Sequence, residues 1–166
     1  DAVVPALGHF LADEGEDREV RRRLPALLAR IASPRAVDLL VGGLGQGDEV
    51  LRDRVLGALS ALRRAGNATA FPRERVEERV LAEARVALRS LSLRHNLVRE
   101  DGEGPLLDRA LEERRERATD RVWRLLGLVI PWRDVAVARR GLEGDPRFQA
   151  RAAEYLDNVL GGRLRR

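Results

Sequence analysis

The sequence contains no cysteine, no methionine and no lysine, and aromatic residues account for only 4% of its 166 positions. Because thiol groups are absent, a disulfide framework, a thiolate zinc site and a cysteine-dependent enzyme are all excluded. Long hydrophobic runs are absent too: the most apolar stretch, residues 122–132, is interrupted by Arg124, whereas a membrane-spanning helix needs about 20 apolar residues. These absences narrow the possible classes of protein without identifying a function.

Charge is abundant and nearly balanced. All 31 basic side chains are arginine, against 27 acidic ones, which leaves a formal net charge of +4. Hydrophobic residues make up 44% of the chain, too many for an intrinsically disordered segment, and the length is that of one domain. Since the sequence starts at Asp1 and has no methionine, we expect a piece of a longer protein. Its expected location is the cytoplasm, either as a free protein or as the cytosolic part of a membrane protein.

Helical periodicity runs through the chain. Apolar residues recur at intervals of three and four, and no segment shows the sustained alternation of a strand. Three amphipathic segments each follow an aspartate suited to cap a helix N-terminus, and a shorter helical stretch precedes each one, which predicts three helical hairpins. The capping aspartates are Asp17, Asp48 and Asp145, and the preceding stretches are residues 3–12, 34–44 and 133–143.

The first two hairpins are related by an internal repeat. An offset of 31 residues carries Asp17 onto Asp48 and Leu28 onto Leu59, and the preceding helices match at an offset of 33. A repeat of this length indicates a stacked array, because one helical hairpin cannot bury its own apolar face.

The middle of the chain is less regular. A long helical stretch runs from Pro72 to about Arg99 and a second one ends near Ile130. Leu88 and Leu91 lie on one face of the first stretch with Val76 and Val80, and leucine, valine and alanine are expected to fill the seams between layers. The wholly charged segment 112–117 is expected to project into water with i,i+4 ion pairs. We interpret the region as an over-long helical pair within the stack, the alternative being an inserted hairpin.

The predicted fold class is all-α: a right-handed α-solenoid of about eight helices in four hairpins. One domain is expected over residues 1–166. Its units are about 1–32, 33–66, 67–130 (the irregular long pair) and 131–162.

The two early units share a residue pattern. In the first unit it is carried by Pro5, Leu7, Leu11, Asp13, Val20, Arg21 and Leu24. The second unit lacks the proline of the first helix but keeps Leu40, Leu44, Asp48, Leu51 and Arg52. In this pattern the two units resemble HEAT repeats, a family of stacked helical hairpins.

A narrower resemblance lies in segments 121–131, 141–147 and 153–160, which are similar to the soluble HEAT extension of bacterial membrane proteins related to ATP/ADP translocases. The resemblance implies a regulatory or docking module on the cytosolic side of a transporter-like parent. The transport residues of that family lie in a membrane part that this chain does not contain, so none is carried over.

Arginines at equivalent repeat positions allow two interpretations. Arg21 and Arg52 are suited to pair with the turn aspartates, Asp17 and Asp48, in a structural ladder along the stack. Alternatively they form a row of guanidinium groups for a phosphate or carboxylate. The predicted contact surface comprises Arg21, Arg52 and Arg151 on the second helices of the hairpins, and Arg114 and Arg115 in the charged projection.

We therefore expect a non-enzymatic scaffold that docks a protein partner or an adjacent domain of its parent, without a cofactor. The alternative is a nucleic-acid-binding domain, like the HEAT-like alkylpurine DNA glycosylases. Acidic residues interleaved with the arginines disfavour this alternative.

The residues that could form a base-binding pocket are few. Trp123 is expected in the core and Trp132 between repeats, so with Tyr155 and Asp157 they offer little for such a pocket. The two histidines, His9 and His95, indicate no metal site.

Overall fold

The computed structural model describes residues 3–66, 70–99, 104–144 and 146–159, and within these ranges the chain is helical with no strand. The all-α class is therefore confirmed, and the helix bounds agree with the sequence pattern to within a residue or two. The helices are α1 (Val3–Ala12), α2 (Arg18–Ile31), α3 (Pro34–Gly43), α4 (Glu49–Arg64), α5 (Arg73–Arg99), α6 (Pro105–Val129), α7 (Trp132–Glu143) and α8 (Pro146–Val159).

Side-chain caps begin the paired helices as predicted. The Asp17 carboxylate accepts hydrogen bonds from the backbone N–H groups of Glu19 and Val20, which no helical carbonyl could satisfy. The Asp48 carboxylate does the same for Val50 and Leu51 at the start of α4. Asp145, the cap predicted for α8, lies outside the described residues.

The chain divides into two compact units, the first formed by Asp1–Val76 with Gly127–Val129. In this unit α1 packs on α2 and α3 on α4, while α2 also lies against α4 and α1 against α3. The repeat-related Leu28 and Leu59 are both fully buried. Two hairpins that each leave one apolar face uncovered thus bury those faces against each other.

The second unit comprises Glu77–Leu126 and Ile130–Arg166. Ion pairs join Glu83 to Arg121 at 2.8 Å and Arg94 to Asp108 at 2.7 Å. The order of these residues along α5 is reversed along α6, so the two long helices run antiparallel. In the same unit α7 packs on α8.

Two expectations about burial are wrong. Trp132 is 63% exposed, because the first turn of α7 is open to solvent and burial of this helix begins only at Val135. Leu88 and Leu91 are also exposed, although Val76 and Val80 are buried as predicted.

The exposure of these leucines follows from how α5 faces α6. At this level of α5 the buried side chain is Ser90, and Arg94 makes its ion pairs with α6. The leucine side of the helix therefore points away from α6.

Candidate functional site

Arg21, a predicted contact residue, is only 6% exposed. Its guanidinium donates to the Leu11 carbonyl at 3.3 Å and to Gln46 Oε1 at 2.8 Å. That carbonyl belongs to the last turn of α1, where carbonyl groups lack helical partners and a positive charge is favourable. Arg21 thus caps α1 and ties it to the loop between α3 and α4.

Arg22, the next residue, makes the carboxylate contact between repeats. Its guanidinium bonds Asp48 at 3.1 Å and Glu19 at 2.7 Å. Burial acts to raise the pKa of Asp48, but the backbone N–H groups of Leu51 and Val50 and the charge of Arg22 outweigh it, so this pKa is lowered. The ladder predicted for Arg21 therefore runs through Arg22.

Arg52 and Arg151 lie in different surroundings. Arg52, the repeat equivalent of Arg21, is partly buried and contacts Glu49 at 3.5 Å. Arg151 is exposed and lines a cleft of about 450 Å³ between α7 and α8, together with Val137 and Tyr155. The two residues are thus in separate units.

The charged segment 112–117 projects only in part. Arg114 is exposed, whereas Glu112 is partly buried and binds Arg94 of α5 as well as Arg115, whose Nε lies 3.0 Å away. The hydrogen bond from Arg115 is the main reason that the pKa of Glu112 is lowered. The expected i,i+4 pairs are present between Arg109 and Glu113 and between Arg117 and Glu113.

The aromatic residues weighed for a base-binding pocket are in dissimilar places. Trp123 is buried as predicted, whereas Trp132 is exposed. Tyr155 is partly buried; burial and a hydrogen bond to Asp134 raise its pKa. Asp157 is exposed.

An open groove of about 770 Å³ runs between α2 and α4 in the first unit. Its floor consists of alanine, glycine and leucine, and arginines form its rim. The lining residues are Arg22, Arg23, Ala26, Leu27, Ala29, Arg30, Arg54, Gly57, Ala58, Ala61, Leu62 and Ala65.

The groove is formed by equivalent faces of two successive hairpins. The offset of 31 residues carries Arg23 onto Arg54 and Ala26 onto Gly57. Contact between Arg22 and Asp48 places the first turns of α2 and α4 side by side, so the helices run in the same direction. At a rise of 1.5 Å per residue, the lining segments 22–30 and 54–65 give a groove about 12–17 Å long.

Three of the four arginines that line the groove have no acidic partner among the described residues. No lining residue that the structure describes is acidic. Arg22 is bound to Asp48, but Arg23, Arg30 and Arg54 are exposed, and their guanidinium groups make no hydrogen bond or ion pair with any other described residue. These three guanidinium groups are available to an anionic partner.

The repeat-related arginines predicted as contact residues, Arg21 and Arg52, do not line this groove. Arg21 and Arg52 follow the apolar position in each repeat, but the first side chain is buried and the second is partly buried. Arg23 and Arg54 share the offset and are exposed. The signal that could have found them is the small residue three positions after each, which marks one helical face.

Comparison with protein-family models, with curated proteins and with solved structures found no match for the chain. The HEAT resemblance therefore stays a prediction. Among the described residues, no cluster of three or more histidine or acidic side chains could hold a metal ion. None of the described helices combines the length and the apolar run that crossing a bilayer requires.

Proposed function

We propose that this chain is a HEAT-like docking module: a right-handed α-solenoid whose α2–α4 groove binds a protein partner or an adjacent domain of its parent. The observation that carries the proposal is the groove itself, with its apolar floor and its three unpaired arginines. Apolar area supplies affinity on burial, and the charged rim supplies orientation and selectivity.

The chemistry of the groove favours binding over catalysis. Its described lining offers arginine, alanine, glycine and leucine, none of which is an ordinary general base, nucleophile or metal ligand. The module therefore acts through shape and charge complementarity, with no bond made or broken.

The similarity to the HEAT extension of bacterial translocase-like proteins supports a parent that is a membrane transporter-like protein. In such a parent this chain would lie on the cytosolic side and present the groove to a neighbouring domain or to a regulatory protein.

Nucleic-acid binding is the second candidate, because unpaired arginines also suit phosphate groups. The described lining of the groove contains no aromatic side chain on which a base could stack, which weakens the case for single strands. The groove is also short, so it could contact few phosphates of a duplex.

Site-directed photo-crosslinking in the cells that produce the parent protein tests the docking proposal. A photoreactive residue replaces Ala61 in the groove or, as the matched control, Ala6 on the exposed side of α1. We expect a discrete protein adduct from position 61 and none from position 6. Equal adducts at both positions would contradict docking in the groove, and a nuclease-sensitive adduct would favour nucleic acid.

A further inference from the structure

Resting on the proposed function, we propose that the occupant of the α2–α4 groove is an acidic amphipathic helix. It lays an apolar stripe on the small-residue floor and directs glutamate or aspartate from its two edges to Arg23, Arg30 and Arg54.

Small side chains on the floor favour a helix as the occupant. Ala26 and Ala61 are exposed, and their small side chains occupy little of the groove. Leu27 is 43% exposed and offers apolar area. Small residues let two helix backbones approach closely, and a third helix can therefore rest on α2 and α4 together.

The same surface is less suited to binding an extended peptide. Its backbone N–H and C=O groups would leave water and would need partners in the groove. The arginines can donate to carbonyl groups, but the described lining has no side-chain acceptor for the N–H groups, and the carbonyl groups of α2 and α4 are largely used within their own helices. A helix satisfies its backbone internally and brings only side chains to the contact.

The arginines set the charge pattern of the partner. Arg23 and Arg30 are seven residues apart on α2, about 10.5 Å or two helical turns. A helix lying along α2 would match them with two acids spaced i,i+7 on one edge. Arg54, the repeat equivalent of Arg23, lies on α4 at the opposite side of the groove. A third acid on the other edge of the bound helix would therefore face Arg54.

The proposal is tested by fluorescence anisotropy with the 166-residue chain and a designed helical peptide. The probe is a labelled helix of about 18 residues, long enough to form in isolation, with alanine and leucine along one face and glutamate along both edges. A matched peptide has every glutamate replaced by glutamine. We expect the glutamate peptide to bind at least about tenfold more tightly than the glutamine peptide.

Charge reversal on the protein locates the contact. Arg23→Glu with Arg54→Glu should weaken binding of the glutamate peptide by about tenfold or more. The control, Arg18→Glu with Arg35→Glu, makes the same change in net charge at exposed arginines outside the groove and should leave affinity within about threefold. A lysine version of the peptide should bind the groove variant better than the unchanged chain. Circular dichroism confirms that both variants are helical.

The outcomes separate this inference from the proposed function. Equal binding of the glutamate and glutamine peptides, both lost on groove substitution, would overturn the acidic partner and leave docking intact. Equal weakening by the two double variants would show unspecific charge attraction and would overturn the inference of an acidic helix. Failure of both peptides to bind, with a DNA oligonucleotide retained by the unchanged chain and released by the groove variant, would replace the helix with nucleic acid and overturn both proposals.

Discussion

Three consecutive arginines on α2 have three different surroundings, because successive residues of a helix point about 100° apart. Arg21 turns inward to the end of α1, Arg22 turns sideways to the cap of α4, and Arg23 faces the groove. A single residue step therefore separates a structural arginine from one that is free to bind a partner.

Replacing Arg21 by alanine is expected to lower the free energy of unfolding by about 1–3 kcal/mol, because buried hydrogen bonds to Leu11 and Gln46 are lost. Arg23→Ala, one residue later on the exposed face, should change it by no more than about 0.5 kcal/mol. Urea denaturation measures both. Equal effects of the two substitutions would show that Arg21 has no capping role.

Sequence alone found the repeat and the capping aspartates Asp17 and Asp48, since both features depend on local spacing. It could not separate Arg21 from Arg23, because both lie near the edge of the apolar stripe. Their separation depends on the position of Leu11 and Gln46, which comes from how the hairpins pack.

At the scale of elements, Asp48 begins α4 and also joins it to α2 through Arg22. Its lowered pKa means that the folded state holds the carboxylate charged, so this stabilisation is present above the ordinary value of 3.8 and is lost as the pH falls below it.

Asp48→Asn should flatten the fall in stability as the pH drops below about 4, because asparagine caps a helix equally well but has no charge to lose. Urea midpoints measured against pH give the comparison. Glu14→Gln, at an exposed position in the loop before α2, is the control and should keep the slope of the unchanged protein. A slope unaltered by Asp48→Asn would mean that other carboxylates govern acid unfolding.

The pair of Glu83 and Arg121 joins α5 and α6 in buried surroundings, with side chains 11% and 4% exposed. Arg121→Met alone should cost about 3–5 kcal/mol, because it leaves the Glu83 charge buried without this partner. Adding Glu83→Leu should restore most of the loss. Denaturation of the two single variants and the double variant measures the coupling, and purely additive losses would contradict it.

Helix bounds were predictable because capping residues and prolines mark them in the sequence. The exposure of the leucines of α5 was not predictable, since Leu88 and Leu91 continue the apolar stripe of Val76 and Val80. A stripe shows which side of a helix is apolar, but whether a neighbour covers it depends on where the partner helix lies. In α5 the side that carries Ser90 and Arg94 meets α6.

At the scale of the whole molecule, burial is uneven along the chain. Leu28 of α2 and Leu59 of α4 are fully buried, whereas Leu88 and Leu91 near the end of α5 are exposed. Local opening requires less free energy where few apolar contacts must be broken. The helices that form the groove are therefore expected to be more rigid than the second half of α5, which suits a site that binds without rearranging.

Hydrogen exchange followed by mass spectrometry should show markedly slower exchange in α2 and α4 than over residues 88–97 of α5, because amide protection follows the free energy of local opening. Adding the acidic helical peptide should slow exchange further in α2 and α4 while leaving 88–97 unchanged. Protection that is uniform before the addition, or that increases everywhere after it, would mean that the groove is not a preformed surface. Binding would then act by stabilising the fold as a whole, and the rigidity argued for α2 and α4 would be wrong.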